Sequence, residues 1–305
     1  MKENFTKNLP APFVRNVIGA SGEKGAQWLD DLPRIVDEIA EKWSLDVKRH
    51  FPNISYNYVA PCNLFHGGSA VLKIGLPEEK PEISYEAEFL RICDGSAAVR
   101  LLNFDEKQRA MLIEKLSPGK NLKQIFRADK EKAIEAAIEV MLKIRRPADE
   151  NFDFRHLRDW FGNFKKAVKT DFPLKSIKKA EEFYEQLSSY SKQKYVLHGD
   201  LHHENILSAE RQPFLAIDPK GIVGEIGYET AVFLNNHIWW IALGESELKQ
   251  KLNFAVHQFS EAFEIEERDV RKWASAQMIL SAWWTFEEFG ENWKRDLELA
   301  EVWGV

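Results

Sequence analysis

Cysteine is scarce in this chain: Cys62 and Cys93 are the two among 305 residues, with neither the density of a disulfide scaffold nor close metal-ligand spacing. That excludes a disulfide-stapled extracellular fold and favours a reducing compartment, the cytoplasm. Long apolar runs are missing too. The greasiest stretch, residues 231–243, is interrupted by Asn235, Asn236 and His237 and is too short to span a bilayer, so it is read as a buried helix. The opening residues, MKENFTKNLPAP, have no apolar core of the kind a signal peptide needs. A basic excess is also absent: 42 Lys and Arg stand against 48 Asp and Glu, giving a formal net charge of -6. A nucleic-acid footprint is therefore not expected, and the acidic balance suits a cationic ligand better. No repeat or low-complexity tract is present, which excludes solenoids and arrays.

What is there is a 44% hydrophobic chain long enough for two packed domains. Over residues 26–43, Trp28, Leu29, Leu32, Ile35, Val36 and Ile39 recur at three- and four-residue steps, predicting a helix with one apolar face. The period then changes. Short apolar or alternating runs at 55–59, 70–74, 98–102 and 110–114, bounded by Gly, Pro, Asn and Asp, predict an antiparallel sheet, with one helix at 83–92. After the turn signal Ser117-Pro118-Gly119, strand character largely disappears. Helices are expected before Pro147 (Ala133, Ile134, Ala137, Ile138, Met141, Ile144), near 157–168 and 177–187, and from 228 to 303; two short strands, Tyr195-Val196-Leu197 and Phe214-Leu215-Ala216-Ile217, lead into polar residues. The expectation is a two-lobed α+β protein. Residues 1–116, with a helical extension over 1–50, form the N-terminal sheet lobe, and 117–305 form a mostly helical C-terminal lobe.

The chemistry is concentrated in His198-Gly199-Asp200-Leu201-His202-His203-Glu204-Asn205, followed by Ile217-Asp218-Pro219-Lys220-Gly221. Phosphoryl transfer asks a protein for charge neutralisation, a positioned acceptor hydroxyl and a group to take its proton. In the kinase pattern H-x-D-L-x-x-x-N the Asp is the base, the Asn five residues on binds magnesium, and an Asp on the next strand completes the metal site. Asp200, Asn205 and Asp218 occupy those positions. Magnesium prefers hard oxygen ligands and fills its shell with water and phosphate, so one amide and one carboxylate suffice. Taken singly, the three residues are explained as a turn cap, an Asx bond and a strand end before Pro219. As a set, correctly spaced and flanked by short apolar strands, they point to catalysis.

Upstream, Ala70-Val71-Leu72-Lys73-Ile74 matches a strand whose lysine neutralises the α- and β-phosphates of a nucleotide, with Glu86 placed to pair with it. Glu88 is a weaker candidate for that pair: two residues apart on a helix, Glu86 and Glu88 point in different directions, so only one of them can face Lys73. The loop from Cys62 to Ser69, through Gly67 and Gly68, is expected to cover the phosphates, although an ordinary β-turn explains it equally well. The purine is expected against main-chain groups of the 111–116 stretch, Glu114 and Leu116 among them.

These residues resemble the aminoglycoside phosphotransferase-like kinases, and within them the streptomycin 6-phosphotransferase and hydroxyurea kinase group. The resemblance covers most of the chain and rests on Trp28-Leu29-Asp30-Asp31-Leu32-Pro33, Leu72-Lys73-Ile74, Glu86-Ala87-Glu88, His198-Gly199-Asp200-Leu201-His202, Ala216-Ile217-Asp218-Pro219-Lys220-Gly221 and Gly227-Tyr228-Glu229. The D-P-K-G run is the most specific of these for the subgroup. The resemblance implies a protein-kinase-like fold, ATP or GTP as donor, Mg2+, Asp200 as base, Asn205 and Asp218 as metal ligands and Lys73 on the phosphates. Departures are His203 and Glu204, where many relatives have Pro and Gly.

Gly199 stands where protein kinases have Arg, D-F-G and A-P-E are lacking, and the span from Asp218 to Tyr228 is too short for an activation loop and a peptide platform. The acceptor is therefore a small molecule, cationic or polyhydroxylated, with neither nucleic acid nor membrane as partner. Glu287 and Glu288, beside Trp283 and Trp284, resemble an acidic pair of the streptomycin group and are candidate acceptor ligands, with Glu225 and Glu229 as lesser ones. A helix with a buried aromatic face and a solvated acidic one accounts for Glu287 and Glu288 as well. Alternatives are a kinase of hydroxyurea or another metabolite, a nucleotide-binding pseudoenzyme, and a metallohydrolase built on His198, His202, His203 and Asp218.

Overall fold

The computed structural model describes residues 8–78, 82–149, 152–241 and 245–305. The chain divides into two compact units, up to Gly119 and from Lys120. The segment Ser117-Pro118-Gly119, expected as a turn, stays with the first unit, but Pro118 and Gly119 open a strand, Pro118–Asn121, and the division falls three residues beyond the expected 116/117 boundary.

The first unit is built on a five-stranded antiparallel sheet of order β1-β2-β3-β5-β4, formed by β1 (Leu45–Val47), β2 (Tyr58–Leu64), β3 (Ser69–Ile74), β4 (Leu101–Asp105) and β5 (Ala110–Glu114). β3 and β5 lie where the sequence put them, and two strands are displaced. β2 starts later than the run at 55–59 and continues through Pro61 and Cys62, which read as loop in sequence. Pro61 accepts from the Lys48 N–H (2.9 Å), so its missing donor faces the side just beyond the end of β1 and costs the β2/β3 ladder nothing. β4 begins at Leu101, three residues later than the start of the run at 98–102, because Asp94, Gly95 and Ala97 all have positive φ and keep the chain turning.

The N-terminal helix, Ala11–Trp43, is longer than its period showed. It bends at Gly22 (φ 55, ψ -131), which breaks the apolar register between Phe13/Val17 and Trp28 onward. Phe13, Val17, Leu32 and Ile39 share one core with Tyr58, Ala60, Leu72 and Ile74, so the helix covers a face of the sheet. The extension expected over 1–50 is therefore not helical throughout: Leu45–Val47 is the sheet's edge strand, and residues 1–7 lie outside the described residues. The helix at Glu82–Cys93 buries Ile83, Glu86, Ala87, Phe89 and Leu90.

Strand β6 (Pro118–Asn121) carries the division between the units. The second unit is mostly helical: Lys130–Ile144, Leu157–Gly162 running on as a 3-10 segment Asn163–Lys169, Leu174–Ser189, Ile226–Ile241, Glu245–Phe263, Glu267–Phe289 and Trp293–Glu301. Asp129 caps the Lys130–Ile144 helix by accepting from the Lys132 N–H (3.3 Å). Short strands β7 (Arg146–Pro147), β8 (Arg155–His156), β9 (Tyr195–Leu197) and β12 (Ile222–Gly224) form a four-stranded sheet of order β7-β9-β12-β8, while β10 (Ile206–Ala209) and β11 (Phe214–Ala216) make an antiparallel hairpin. The apolar stretch at 231–243 falls in the Ile226–Ile241 helix as far as residue 241; Ala242 and Leu243 lie outside the described residues. No helix among the described residues is long and apolar enough to cross a membrane.

Candidate active site

The loop 198–205 joins β9 to β10 and is fixed at both ends by Ile217, the residue just past the end of β11. The Nε2–H of His198, completely buried, donates to the Ile217 carbonyl (2.8 Å), and its Nδ1 accepts from the Asp200 N–H (3.3 Å). One tautomer satisfies both bonds, and burial pushes the imidazole's pKa down to about 3, so His198 is a neutral strut. At the other end the Ile217 N–H donates to the Asn205 carbonyl (2.9 Å). The Asn205 amide nitrogen donates to the Asp200 carbonyl (2.9 Å), which commits that nitrogen and makes Oδ1 the atom of this side chain that could hold a metal. Ile217 is thus bonded to both ends of the loop that carries Asp200, and the next residue is Asp218, turned out of the strand direction by φ 61. The Asp200 side chain is 36% exposed, with His202 Nε2 at 4.0 Å from its Oδ1.

Gly199 is required by geometry. It has φ 81, and a Cβ there would stand 2.5 Å from Ile222 Cγ2 and 3.3 Å from both Lys220 Cβ and Trp160 Cη2. The space an arginine would need at this position is already filled. Its N–H donates to Glu229 Oε2 (3.1 Å). Glu229, 2% exposed, sits in the first turn of Ile226–Ile241. Burial raises its pKa to about 7 against the opposing pull of the loop amides, with the negative charge of Asp200 adding a smaller upward push. It positions the loop, which removes it from the acceptor candidates; nothing in sequence spacing marked that role. Glu225 leaves the acceptor set as well, being buried against the Ser188 hydroxyl and 3.9 Å from Lys194.

His203 packs against Phe233 (4.1 Å between centroids) and against His237, whose Nδ1 lies 2.8 Å from its Nε2. Burial holds both imidazoles well below their ordinary pKa. His198 and His203 are therefore each engaged by protein partners, and among the described residues no three His, Cys, Asp or Glu are grouped so as to hold a metal ion, as the hydrolase alternative requires.

In the first unit, Lys73 Nζ meets Glu86 Oε2 at 2.6 Å, with both residues about 5% exposed or less. Glu88 instead pairs with Arg91 (2.8 Å) on the solvent side. Gly67 (φ 93) and Gly68 (φ 97) form a hairpin tip closed by Gly67 N–H to Leu64 O (2.9 Å) and Leu64 N–H to Gly68 O (3.1 Å), and Cys62 and Asn63 belong to the strand before it. Glu114 ends β5 with both its N–H and its carboxylate bonded to the main chain of Arg100 (3.0 and 3.1 Å); Leu116 follows, half-buried.

Glu287 and Glu288 lie at the end of Glu267–Phe289, exposed. Glu287 pairs with Lys166 (3.3 Å), and partial burial raises the pKa of Glu288. Of the neighbouring tryptophans, Trp283 is buried against Phe172, whereas Trp284 meets Trp160 edge to face (5.2 Å). Trp160 is the ring that reaches Gly199, so an aromatic bridge runs from Trp284 to the residue before Asp200. Sequence reasoning missed Trp160, which is too distant along the chain to be linked to Asp200 by any spacing.

A buried pair between a lysine of a five-stranded sheet and a glutamate of the helix Glu82–Cys93, together with a loop and strand end presenting an acid, an amide and a second acid, defines a kinase-like protein, and solved structures share its fold. Choline kinase LicA from Streptococcus pneumoniae matches with a TM-score of 0.64 over 90% of this chain and 99% of its own, at 13% identity. The amicoumacin kinase hAmiN, solved in complex with AMP-PNP, Ca2+ and Ami, matches with a TM-score of 0.64 over 90% and 93%, at 12% identity. The chain belongs to the aminoglycoside/hydroxyurea antibiotic resistance kinase family, whose sequence profile matches residues 42–289. Streptomycin 6-kinase of Streptomyces glaucescens is 26% identical over 286 residues, 92% of this chain and 91% of its own.

Proposed function

We propose that this protein transfers the γ-phosphate of ATP, or of GTP, to a hydroxyl of a streptomycin-like aminoglycoside or a related small molecule. The observation that carries the reading is the double attachment of Ile217 to His198 and Asn205, which ties the strand end bearing Asp218 to the loop bearing Asp200. A partly exposed carboxylate on a loop braced by buried bonds is suited to a general base. The acceptor oxygen bonds to the γ-phosphorus as the bond to the leaving diphosphate oxygen breaks, the hydroxyl proton passes to Asp200, and the nucleoside diphosphate leaves.

Asn205 Oδ1 and the Asp218 carboxylate are hard oxygen donors that fit Mg2+, which when bound neutralises phosphate charge. Lys73, held by Glu86, answers the charge of the α- and β-phosphates, with the Gly67-Gly68 tip and the main chain of Glu114 and Leu116 serving the nucleotide. Glu288 and Glu287 near Trp284 suit a cationic acceptor, and two buried free cysteines suit the reducing cytoplasm, where ATP is at hand. The test is Mg2+-dependent transfer from ATP and GTP to streptomycin, other aminoglycosides, hydroxyurea and small sugars. Asp200→Ala is expected to abolish transfer while AMP-PNP still binds. Substantial residual transfer in that variant sinks the base assignment, and binding without transfer by the unaltered protein sinks the acceptor class.

A further inference from the structure

The D-P-K-G run contributes more than Asp218. Asp218 (φ 61) and Gly221 (φ 59) are both left-handed and bracket Pro219 and Lys220, so the chain reverses sharply within four residues. The reversal brings the Lys220 N–H onto the carbonyl of His198 at 2.7 Å. It also places Lys220 Cβ 3.3 Å from where a Cβ would stand on Gly199, the neighbour of Asp200. Lys220 is half-buried, and it leaves the same turn as Asp218 with its backbone pinned to the loop of Asp200.

This neighbourhood is rich in acid. Asp200 and Asp218 both belong to it, and by themselves their carboxylates repel a nucleoside triphosphate. A lysine presents a compact charge and three donors on a flexible four-carbon stem, and the charge of a transferring phosphoryl group is spread over its three outer oxygens.

We propose that Lys220 is a further catalytic residue, its ammonium neutralising the phosphoryl group as it passes from nucleotide to acceptor. The inference rests on the kinase reading above. In that step the acceptor oxygen–phosphorus bond forms, the bond to the diphosphate breaks and Asp200 takes the proton, while Lys220 keeps its own protons and makes no covalent bond. The turn is tied to the loop by the main-chain bond from the Lys220 N–H to the His198 carbonyl, which a change of the Lys220 side chain does not delete.

The experiment uses the full chain with Lys220→Met and Lys220→Arg. It reads kcat for transfer to streptomycin, kcat for the slow hydrolysis of MgATP by water, which needs no acceptor, AMP-PNP affinity by calorimetry, and thermal melting. Lys220→Met is expected to lower both rates by about 10²–10³ while AMP-PNP affinity changes by less than about tenfold, and Lys220→Arg is expected to recover at least about a tenth of the rate. Three results overturn the assignment: both rates in Lys220→Met within about threefold of the parent, a fall only in nucleotide affinity, or equal losses in both variants together with lowered melting. Hydrolysis sensitive to Lys220 without transfer to streptomycin keeps Lys220 and rejects the acceptor; transfer insensitive to Lys220 does the reverse. A protein that neither binds nor hydrolyses MgATP overturns both.

Discussion

Replacing Glu229 by glutamine removes a buried charge while keeping an oxygen to receive the Gly199 N–H. Burial raises the carboxyl from its ordinary 4.5 to about 7 in the folded protein. Below pH 4.5 the group is protonated whether the chain is folded or not. Between 4.5 and 7 the unfolded chain releases its proton while the folded one retains it, so rising pH favours unfolding, and above 7 the loss is complete. Its size is about 3 kcal/mol. Glutamine has no such loss, and all other titrating groups are shared and cancel in the comparison. Denaturant unfolding followed by tryptophan fluorescence, at about pH 5 and pH 8, is expected to show Glu229→Gln gaining roughly 2–3 kcal/mol on the parent between the two. A difference that stays constant within about 0.5 kcal/mol refutes the reasoning, because it means the loop amides hold the carboxylate ionised in spite of burial. Glu229→Ala, which strands the Gly199 N–H, is expected to cost about 1–3 kcal/mol at either pH.

Lys73→Met leaves Glu86 buried without its cation and is expected to destabilise the protein by about 3–5 kcal/mol and to weaken AMP-PNP binding; denaturation and calorimetry check both, and unchanged stability refutes the buried pairing. Gly199→Ala drives a Cβ into Ile222 and strains a φ of 81, so transfer is expected to fall by about 10² or more; turnover equal to the parent refutes the packing argument. Glu288→Gln is expected to raise KM for streptomycin by roughly three- to tenfold with little change in kcat, whereas Glu287→Gln, whose charge Lys166 already answers, shifts it less; equal effects on a neutral sugar acceptor would show that charge is not the cause.

Much of the first unit was readable because its local signals agree with its packing. β3 and β5 are interior strands whose apolar runs end at Ile74 and Glu114, with no competing turn inside them. The failures have local causes. Pro61 reads as a strand breaker unless its lost donor is known to face the side just past the end of β1. The bend at Gly22 scrambles the helical period, and the left-handed residues before β4 hide its start. In the second unit β10 and β12 were invisible in advance, being four and three residues long and set by their partners.

The sequence by itself singled out Asp200, Asn205 and Asp218 as candidates for the chemistry, because they sit at spacings fixed by one loop and one hairpin, and short spacings survive in a linear string. It also preferred Glu86 to Glu88 as the partner of Lys73, helical geometry letting only one of them face β3, and the packed structure pairs Lys73 with Glu86. Only the tertiary structure decided what holds those residues in place: Glu229 under Gly199, Trp160 against it, His203 locked to His237, and Lys220 folded back beside Asp200. Such contacts join segments far apart in the chain, and burial, which sets both their partners and their pKa values, exists only once the chain has packed.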